Sequence, residues 1–289
     1  EAMREHLSAE TWSVLGQSFG GFTTLAYLST DSDSLADVFI TGGLSTVDRH
    51  PDEVYALCYD KMRAASERYY RRFPEHRDVM RRLVDQAAAG EIVLPDGEVV
   101  SPSRLRSVGS ALGTNDGWQT VWSLLERDPA SNAFRHDLMH AMPYGGRNPL
   151  YFAFHESSYA SGHATRWSAE RTEPQDFRDD VTLFTGEHIR REWTETVPAF
   201  QPWRDVTLAL ADFEWPRIYN EVAIAASGAT GAAAVYVNDV YVPMEFSLET
   251  ARLLPGVELW VTSEHEHNGV RSGPVLTHLI DLAHGRRIR

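Results

Sequence analysis

The 289-residue chain has a single cysteine, Cys58, so it can form neither an internal disulfide nor a structural metal site made of cysteines. No stretch approaches the roughly 20 apolar residues that a membrane span needs, so we expect no membrane partner. Positive charge is scarce, because 27 Lys and Arg residues stand against 41 Asp and Glu residues and give a net charge of -14. This balance argues against a nucleic-acid partner and favours a cationic ligand. No signal-peptide pattern is visible, and a cytoplasmic location is expected.

A glycine–serine–glycine motif, Gly16-Gln17-Ser18-Phe19-Gly20, lies near the start of the chain. The apolar run before it, Trp12 to Leu15, predicts a buried strand, and the run after it, Phe22 to Leu28, predicts a helix. A serine between a strand and a helix is the arrangement of a nucleophile elbow. The bare motif occurs by chance in many proteins, and a structural turn is the alternative interpretation, but this context favours the elbow.

The geometry of an elbow explains the residue types of the motif. A sharp turn from strand to helix strains the backbone of Ser18, and bulky residues at the flanking positions Gly16 and Gly20 would collide with it. The hydroxyl of Ser18 is then lifted clear of the sheet, at the positive end of the new helix. The amide of Phe19 would point at a developing oxyanion. We therefore predict Ser18 as a catalytic nucleophile.

An α/β pattern begins and ends the chain and is interrupted in between. In residues 1–50, the run Leu35 to Leu44 predicts a second buried strand, which gives the strand–helix–strand rhythm of a parallel sheet. Residues 51–204 show mainly helical periodicity, beginning with a long helix over Asp52 to Phe73. The α/β rhythm resumes in residues 205–289. The sequence predicts an α/β fold with a mostly parallel sheet and a mainly helical cap inserted into it.

A serine nucleophile needs a base, and the base needs an acid that orients it. The predicted strand Ala232 to Val237 is followed by Asp239, and the predicted strand Val257 to Thr262 is followed by His265 and His267. Catalytic groups lie at the carboxyl ends of parallel strands, so Asp239 is predicted as the acid, with a turn-forming aspartate as the alternative. His267 is preferred to His265 as the base, because the Asn-Gly that follows it suits a tight loop.

The elbow arrives early in the chain. Residues 1–9 predict only the end of a polar helix, whereas in an α/β-hydrolase several strands and the loop that gives the second oxyanion amide precede the elbow. We expect either a fragment of a cleaved chain, which we favour, or a protein completed by another polypeptide. A complementary N-terminal fragment or chain is thus an expected partner, and this chain alone should be inactive or unstable.

Several stretches together resemble the prolyl aminopeptidases (proline iminopeptidases) of the α/β-hydrolase superfamily. They are Trp12–Phe22, Thr41–Leu44, Thr185–His188, Val235–Val242 and Glu266–Gly269. The resemblance runs over most of the chain. It implies the α/β-hydrolase fold with a helical cap, and Ser18, Asp239 and His267 as the catalytic triad. It also implies removal of an N-terminal proline from peptides without a metal or other cofactor.

The same resemblance implies cap carboxylates that bind the charged amino end of the peptide substrate, because a buried ammonium needs a paired anion. The candidates are Glu156 and Glu187, and each could instead be a solvated surface charge. Nearby aromatic residues could flank a pyrrolidine ring, with Tyr151 and Phe152 assigned to the substrate site; the set is Tyr144, Tyr151, Phe152, Phe154 and Trp193. The other histidines, including His155 and His188, are interpreted as surface or packing residues.

Two other functions fit parts of the pattern. An esterase or lipase of the same superfamily would use the same triad on a neutral acyl ester, and the cap would decide between the two. A non-catalytic binding protein with a degenerate hydrolase fold is the second alternative. The complete Ser, Asp, His set in the expected order argues against it.

Overall fold

The computed structural model describes residues 1–145 and 148–287. These residues form two compact units. The α/β unit consists of Glu1–Arg49 together with the residues from Pro216 onward, and the helical unit is His50–Trp215. No helix in the described ranges is both long and apolar enough to cross a membrane.

The first part of the α/β unit alternates strands and helices. Its elements are α1 (Ala2–His6), β1 (Trp12–Gln17), α2 (Phe19–Thr30) and β2 (Leu35–Thr41), with a short 3-10 helix at Ser32–Ser34. The predicted strand–helix–strand order is confirmed. Helix α2 begins directly after Ser18, so the serine stands at the junction between β1 and this helix.

The helical unit is built from one long helix and many short ones. Helix α3 begins at Pro51 because His50 caps it: the His50 ring accepts the Asp52 N–H at 3.1 Å, and the Glu53 side chain accepts the His50 N–H at 3.2 Å. The ten helices are α3 (Pro51–Arg72), α4 (His76–Ala88), α5 (Pro102–Arg106), α6 (Gly117–Leu125), α7 (Asn132–Ala141), α8 (Pro149–Phe154), α9 (Ser168–Arg171), α10 (Gln175–Asp179), α11 (Trp193–Thr196) and α12 (Arg204–Asp212) within the described ranges, with 3-10 helices at Ser107–Gly113, Glu156–Tyr159 and Gln201–Trp203.

Two details of the helical unit bear on the predicted segments. The run Ile92 to Val100, with Pro95-Asp96-Gly97 in its middle, predicts a small hairpin or loop, and Val93 and Val99 form an antiparallel bridge there. The unit also continues past residue 204, where the sequence places the end of the cap, as far as Trp215. It does so because α12 packs against α8, within the helical unit.

The last part of the chain completes the α/β unit. Its elements are α13 (Glu221–Ala226), β3 (Thr230–Tyr236), α14 (Met244–Ala251), β4 (Val257–Thr262), α15 (Gly269–Ser272) and α16 (Val275–Ala283). The four strands form one sheet in the order β1-β2-β3-β4, and every neighbouring pair is parallel. The predicted parallel sheet is confirmed.

Both faces of β3 are buried, as is usual for parallel strands inside a sheet. Alternate residues of β3 point to opposite sides: Ala233 and Val235 pack in one apolar cluster with α2 and α13, and Ala232, Ala234 and Tyr236 pack in the other with α16. The small side chains of β3 let helices approach closely on both sides. Because all four strands run in one direction, the turns that follow β1, β3 and β4 meet at one edge of the sheet. Ser18, Asp239 and His267 lie in those turns.

Candidate active site

Ser18 occupies a strained corner between β1 and α2. Its φ of 56° and ψ of -124° lie outside the regions that residues with a side chain adopt freely. The Ser18 N–H donates to the Thr41 carbonyl oxygen at 3.0 Å, and the Ser18 carbonyl oxygen accepts the Gly21 N–H at 2.7 Å. Phe19 is the first residue of α2, so its amide is one of the N–H groups that have no partner within the helix.

The glycines around Ser18 have different roles. A Cβ on Gly16 would lie 2.4 Å from the Gly20 carbonyl oxygen and 2.6 Å from Thr24 Oγ1, so no side chain fits there. A Cβ on Gly20 would meet nothing within 4 Å in the described part of the chain. The prediction that both flanking positions need glycine is right for Gly16 and wrong for Gly20. The second crowded position is Gly21, where a Cβ would lie 2.4 Å from the Gly43 carbonyl oxygen.

Three side chains form a continuous hydrogen-bonded series at this edge of the sheet. His267 Nε2 lies 2.8 Å from Ser18 Oγ, and His267 Nδ1 lies 2.7 Å from Asp239 Oδ2. Because a carboxylate can only accept, Nδ1 carries the proton and Nε2 is free to accept the serine hydroxyl. The structure thus brings Ser18 together with Asp239 and His267, both of which lie more than two hundred residues later in the sequence.

Asp239 is fully buried and held in one orientation. Its Oδ1 accepts the backbone N–H groups of Tyr241 at 2.8 Å and Val242 at 2.9 Å, which leaves Oδ2 for the imidazole. The ring of Tyr241 packs edge-on against His267, with centroids 4.8 Å apart. These contacts fix both the acid and the imidazole, as a preorganised site requires.

Gly42 lies directly against the acid and the base. A Cβ at this position would be 3.0 Å from His267 Nδ1 and 3.3 Å from Asp239 Oδ2, and the backbone φ is +52°. Both features favour glycine. The sequence marks this residue only as part of a strand end rich in glycine.

His265 lies in a different environment from His267. Its ring packs against Trp260 and Tyr236, at centroid distances of 6.0 Å and 6.3 Å. It also lies over Gly273, where a Cβ would be 2.7 Å from the ring. The histidine that reaches Ser18 is therefore His267, the one preferred from the sequence.

Glu156 is buried in the helical unit, with 4 % of its surface exposed. Its Oε2 accepts the Ser168 N–H at 3.1 Å and its Oε1 accepts the Ala169 N–H at 2.9 Å, at the start of α9. Burial raises the pKa of Glu156 to about 7, against the opposing effect of these hydrogen bonds. The alternative interpretation of Glu156 as a solvated surface charge is wrong.

Glu187 is partly open to solvent, with 21 % of its side chain exposed. Its Oε1 accepts the hydroxyl of Tyr151 at 2.8 Å, and its Oε2 lies 3.8 Å from His155 Nε2. Tyr151 is itself exposed on one side. The structure therefore brings Glu187 and Tyr151 together at an accessible place in the helical unit.

Phe152 has a different position from its neighbour Tyr151. It is fully buried, stacked on Phe200 with ring centroids 4.2 Å apart and packed against Trp193. Tyr144 and Ile189 belong to the same apolar cluster. This placement argues against the predicted contact of Phe152 with a substrate, because its ring fills the core of the helical unit.

Two curated proteins are similar in sequence to this chain. The chain is 33% identical over 287 residues to the proline iminopeptidase of Aeromonas sobria, an alignment that covers 94% of this chain and 66% of the relative. It is 26% identical over 292 residues to the proline iminopeptidase aneH of Aspergillus aculeatus, covering 94% and 65%. The chain is similar to these proline iminopeptidases over nearly its whole length. It spans just under two thirds of the length of these two relatives.

This similarity confirms the predicted resemblance to the proline iminopeptidases of the α/β-hydrolase superfamily, and the parallel sheet with its flanking helices agrees with the predicted fold class. Solved α/β-hydrolase structures resemble the chain more weakly. An enzyme from a Medee basin deep-sea metagenome library is 12% identical with a TM-score of 0.38, covering 100% of this chain and 70% of that one. A hydrolase from Bacillus anthracis is 15% identical with a TM-score of 0.33, covering 98% and 68%. No protein-family model matches the chain.

One group among the described residues has the composition of a metal site, namely Glu75, His76 and Glu126. Both ring nitrogens of His76 are already bonded: Nδ1 lies 2.8 Å from the Tyr69 hydroxyl, and Nε2 lies 2.8 Å from Glu126 Oε1. The imidazole, at the start of α4, therefore links Tyr69 on α3 to Glu126 at the end of α6, and offers no free lone pair to a metal ion.

The sequence did not point to two residues of these sites. Gly42 could have been found from the glycine pair at the carboxyl end of β2, since that end meets the other catalytic turns. His155 was interpreted as a surface or packing residue, and no local signal contradicted this. Only the fold shows that its ring lies beside Glu187 with its nitrogens buried.

Proposed function

We propose that this protein is a serine aminopeptidase that releases an N-terminal proline, or a similar small residue, from peptides. The observation that carries the proposal is the hydrogen-bonded series from Ser18 through His267 to the buried Asp239. The two curated relatives are named proline iminopeptidases, and they align over 94% of this chain. The triad gives the reaction type, and the similarity to these relatives gives the substrate class.

The mechanism follows from the roles that these positions allow. His267 Nε2 takes the proton of Ser18 as its Oγ attacks the carbonyl carbon of the substrate. Asp239 holds the imidazole in the required tautomer and stabilises the imidazolium that forms. His267 then gives the proton to the leaving amine, and an acyl-enzyme on Ser18 remains. Water hydrolyses it with the same histidine as base.

The tetrahedral intermediate carries a negative oxygen that must be stabilised. The Phe19 amide is the donor that we assign to it, because it follows Ser18 at the positive end of α2. Because Ser18 and Phe19 are adjacent at the start of α2, the Ser18 hydroxyl and the Phe19 amide can act on the same substrate carbonyl group. One such donor contributes on the order of 3 kcal/mol to the transition state.

An aminopeptidase must also bind a free amino end. We assign this role to Glu187, because its carboxylate is accessible and lies among aromatic rings. Glu156 is less suited to this role, because both of its oxygens already accept backbone N–H groups and burial raises its pKa to about 7. Tyr151 orients the Glu187 carboxylate through its hydroxyl.

The outer side of β1 supports the expected complementary segment. Within the described strands β1 has one neighbour, β2, and Leu15 on it is 46% exposed. Parallel strands are normally covered on both faces and flanked by further strands. The proposal includes a segment or chain that pairs with β1. An intact-mass inventory of the purified protein tests this, and a single component of the mass of this chain with full activity would contradict it.

Two measurements test the catalytic proposal. A fluorophosphonate should label Ser18 covalently, and Ser18→Ala should abolish the labelling; a folded protein that resists the reagent would support a non-catalytic binding protein instead. Proline β-naphthylamide should be hydrolysed far better than p-nitrophenyl acetate. The reverse preference would support the esterase alternative.

A further inference from the structure

Seven side chains of the helical unit have a buried polar atom without a hydrogen-bond partner in the described residues. Three of them are Arg106, His163 and Trp215, and the other four are tyrosines and histidines. The unpaired atoms of these four are the hydroxyls of Tyr55 and Tyr144, both ring nitrogens of His155, and Nε2 of His188. These residues are at most 5% exposed. Buried polar groups in proteins are nearly always paired, because an unpaired one loses its hydration without compensation. Several such groups close together therefore indicate a place where ordered water or a polar ligand supplies the missing hydrogen bonds.

The four side chains are neighbours in space. The Tyr144 and His155 ring centroids are 5.2 Å apart, those of Tyr55 and His155 are 6.5 Å apart, and those of Tyr55 and His188 are 5.7 Å apart. The unpaired atoms thus belong to one cluster, which we call the tyrosine–histidine cluster. It comprises Tyr55, Tyr144, His155 and His188.

Glu187 and Tyr151 lie between this cluster and the solvent. The Tyr151 ring is 5.1 Å from that of Tyr144 and 5.3 Å from that of His155, measured between centroids. Glu187 Oε1 is used by the Tyr151 hydroxyl, but Oε2 lies 3.8 Å from His155 Nε2, beyond hydrogen-bonding distance. Among the described residues, therefore, none donates a hydrogen bond to Glu187 Oε2, and this oxygen can accept one from a ligand that enters beside the half-exposed Tyr151.

The charges around the cluster favour a cation. Burial lowers the pKa of His155 and that of His188, so both imidazoles are neutral at neutral pH. After burial, the charge of Glu187 contributes most to the raised pKa of Tyr144, and that of Glu156 contributes most to the raised pKa of Tyr55. The charges of Arg190 and Arg106 also lower the pKa of His188. Both side chains form ion pairs with Glu173, and Arg106 Nη2 has no hydrogen-bond partner within the described residues.

A neutral imidazole nitrogen and a phenol oxygen can each accept a hydrogen bond, and aromatic faces attract cations. We propose that Tyr144 and His155 join Glu187 in binding the protonated amine of the substrate, with Tyr55 and His188 as the inner wall of the same site. The secondary ammonium of an N-terminal proline has two N–H groups. One is donated to Glu187 Oε2, and the other to the Tyr144 hydroxyl or a His155 nitrogen. This inference rests on the proposed function and assigns residues to its amine site.

The tyrosine hydroxyls allow a sharp test, because Tyr→Phe removes one oxygen and keeps the ring. The Ser18→Ala protein, which cannot turn over, is titrated with L-prolinamide by calorimetry, and its melting temperature is measured without ligand. Tyr144→Phe should weaken binding about tenfold, as loss of a hydrogen bond to a charged group does. Its melting temperature without ligand should be unchanged or raised, since an unpaired hydroxyl has been removed.

Tyr70→Phe is the matched control. Tyr70 is buried in the same unit, but its hydroxyl donates to the Thr182 carbonyl oxygen at 2.7 Å. This variant should lower the melting temperature and leave prolinamide binding unchanged. If Tyr144→Phe behaves like Tyr70→Phe, then the Tyr144 hydroxyl is paired with ordered water, and the proposal is overturned.

A second pair of variants tests the imidazole. His155→Leu should weaken prolinamide binding, and His155→Gln, which keeps a side-chain acceptor, should restore part of it. Equal binding by the parent and both variants would also overturn the proposal. Two further outcomes separate the amine site from the proposed function. If the protein cleaves proline β-naphthylamide and Tyr144→Phe leaves the KM unchanged, the proposed amine site is refuted and the function stands. If prolinamide binding depends on Tyr144 but the protein neither reacts with fluorophosphonate nor cleaves the substrate, the function is refuted and the binding site stands.

Discussion

His267 Nδ1 lies 2.7 Å from Asp239 Oδ2, while Oδ1 of the same carboxylate accepts two backbone N–H groups, from Tyr241 and Val242. Every hydrogen-bonding direction that faces Asp239 is thus a donor. A residue here must accept on both sides, which an ionised carboxylate does and an amide cannot.

Asp239→Asn should therefore disrupt catalysis. Its NH₂ group must face either the His267 Nδ1–H or the two backbone N–H groups, so the imidazole loses its orientation or its tautomer. We expect kcat for proline β-naphthylamide to fall by roughly 10³ to 10⁴. Asp205→Asn, at a position where the side chain is 94% exposed, is the control and should leave kcat unchanged. Activity of Asp239→Asn within tenfold of the parent would remove Asp239 from the triad.

Gly42→Ala should reduce activity by crowding the site. The added Cβ would lie 3.0 Å from His267 Nδ1, and the backbone φ of +52° disfavours alanine by about 1 kcal/mol. Gly228→Ala separates the two effects, since Gly228 has a φ of +61° and nothing within 4 Å of a Cβ in the described part of the chain. Both variants should lose similar stability in urea unfolding, but only Gly42→Ala should lose fluorophosphonate labelling. If Gly42→Ala and Gly228→Ala are labelled at equal rates, the added methyl group of Gly42→Ala is accommodated without displacing His267.

The two glycines of the elbow motif should differ in tolerance. Gly16→Ala places a Cβ 2.4 Å from a backbone oxygen, whereas Gly20→Ala places one in open space. We expect Gly16→Ala to lower the melting temperature strongly and to abolish labelling of Ser18. Gly20→Ala should keep both, because alanine is the better helix former within α2. If Gly20→Ala loses stability and labelling while Gly16→Ala keeps both, the backbone of the elbow has a different conformation from the one in this structure.

Local sequence patterns were sufficient to predict the sheet and the elbow. Strands β1 to β4 are apolar runs bounded by glycine or polar turns, and each supplies its own signal within a few residues. The catalytic residues follow because parallel strands end at one edge, so Asp239 and His267 could be found by counting strands. Helices α8 to α12 were not separately predicted, since these short aromatic segments depend on contacts with distant residues.

The substrate side of the site was less predictable than the triad. The carboxylate of Glu156 caps α9, and this depends on how the chain folds back at Ser168. Phe152 and Tyr151 are adjacent in the sequence, yet one is in the core and the other half exposed. In a region without regular periodicity, no pattern distinguishes them. The unpaired atoms of His155 become visible only once the surrounding rings are in place.

The ionisation of Glu156 should make stability depend on pH. Burial raises its pKa in the folded protein to about 7, from 4.5 for an unperturbed glutamate. Between these values the folded state keeps a proton that the unfolded state has lost. Stability therefore falls as the pH rises from 4.5 to 7 and is level above that range. The difference is on the order of 3 kcal/mol, at about 1.4 kcal/mol per pKa unit.

Glu156→Gln removes this titration. Urea unfolding at several pH values should show that the parent loses stability relative to Glu156→Gln between pH 4.5 and 7. The glutamine variant has a lower stability at low pH, because its NH₂ group cannot accept the second backbone N–H. Parallel stability curves for the two proteins would contradict the raised pKa.

Glu187→Gln should affect substrate binding and not stability. The carboxylate is partly exposed and receives one protein hydrogen bond, from Tyr151, which a glutamine oxygen can still accept. What glutamine cannot supply is the negative charge opposite a substrate ammonium. We expect KM for proline β-naphthylamide to rise about tenfold or more, as for loss of a hydrogen bond between charged groups. The rate with p-nitrophenyl acetate, which has no amine, should stay within twofold of the parent, about 0.4 kcal/mol.

Glu195→Gln, at an exposed position on α11, is the control for charge removal. If Glu187→Gln leaves KM unchanged while Glu156→Gln raises it at equal stability, the amine is bound at Glu156, and the backbone N–H groups at the start of α9 must release its carboxylate when substrate enters.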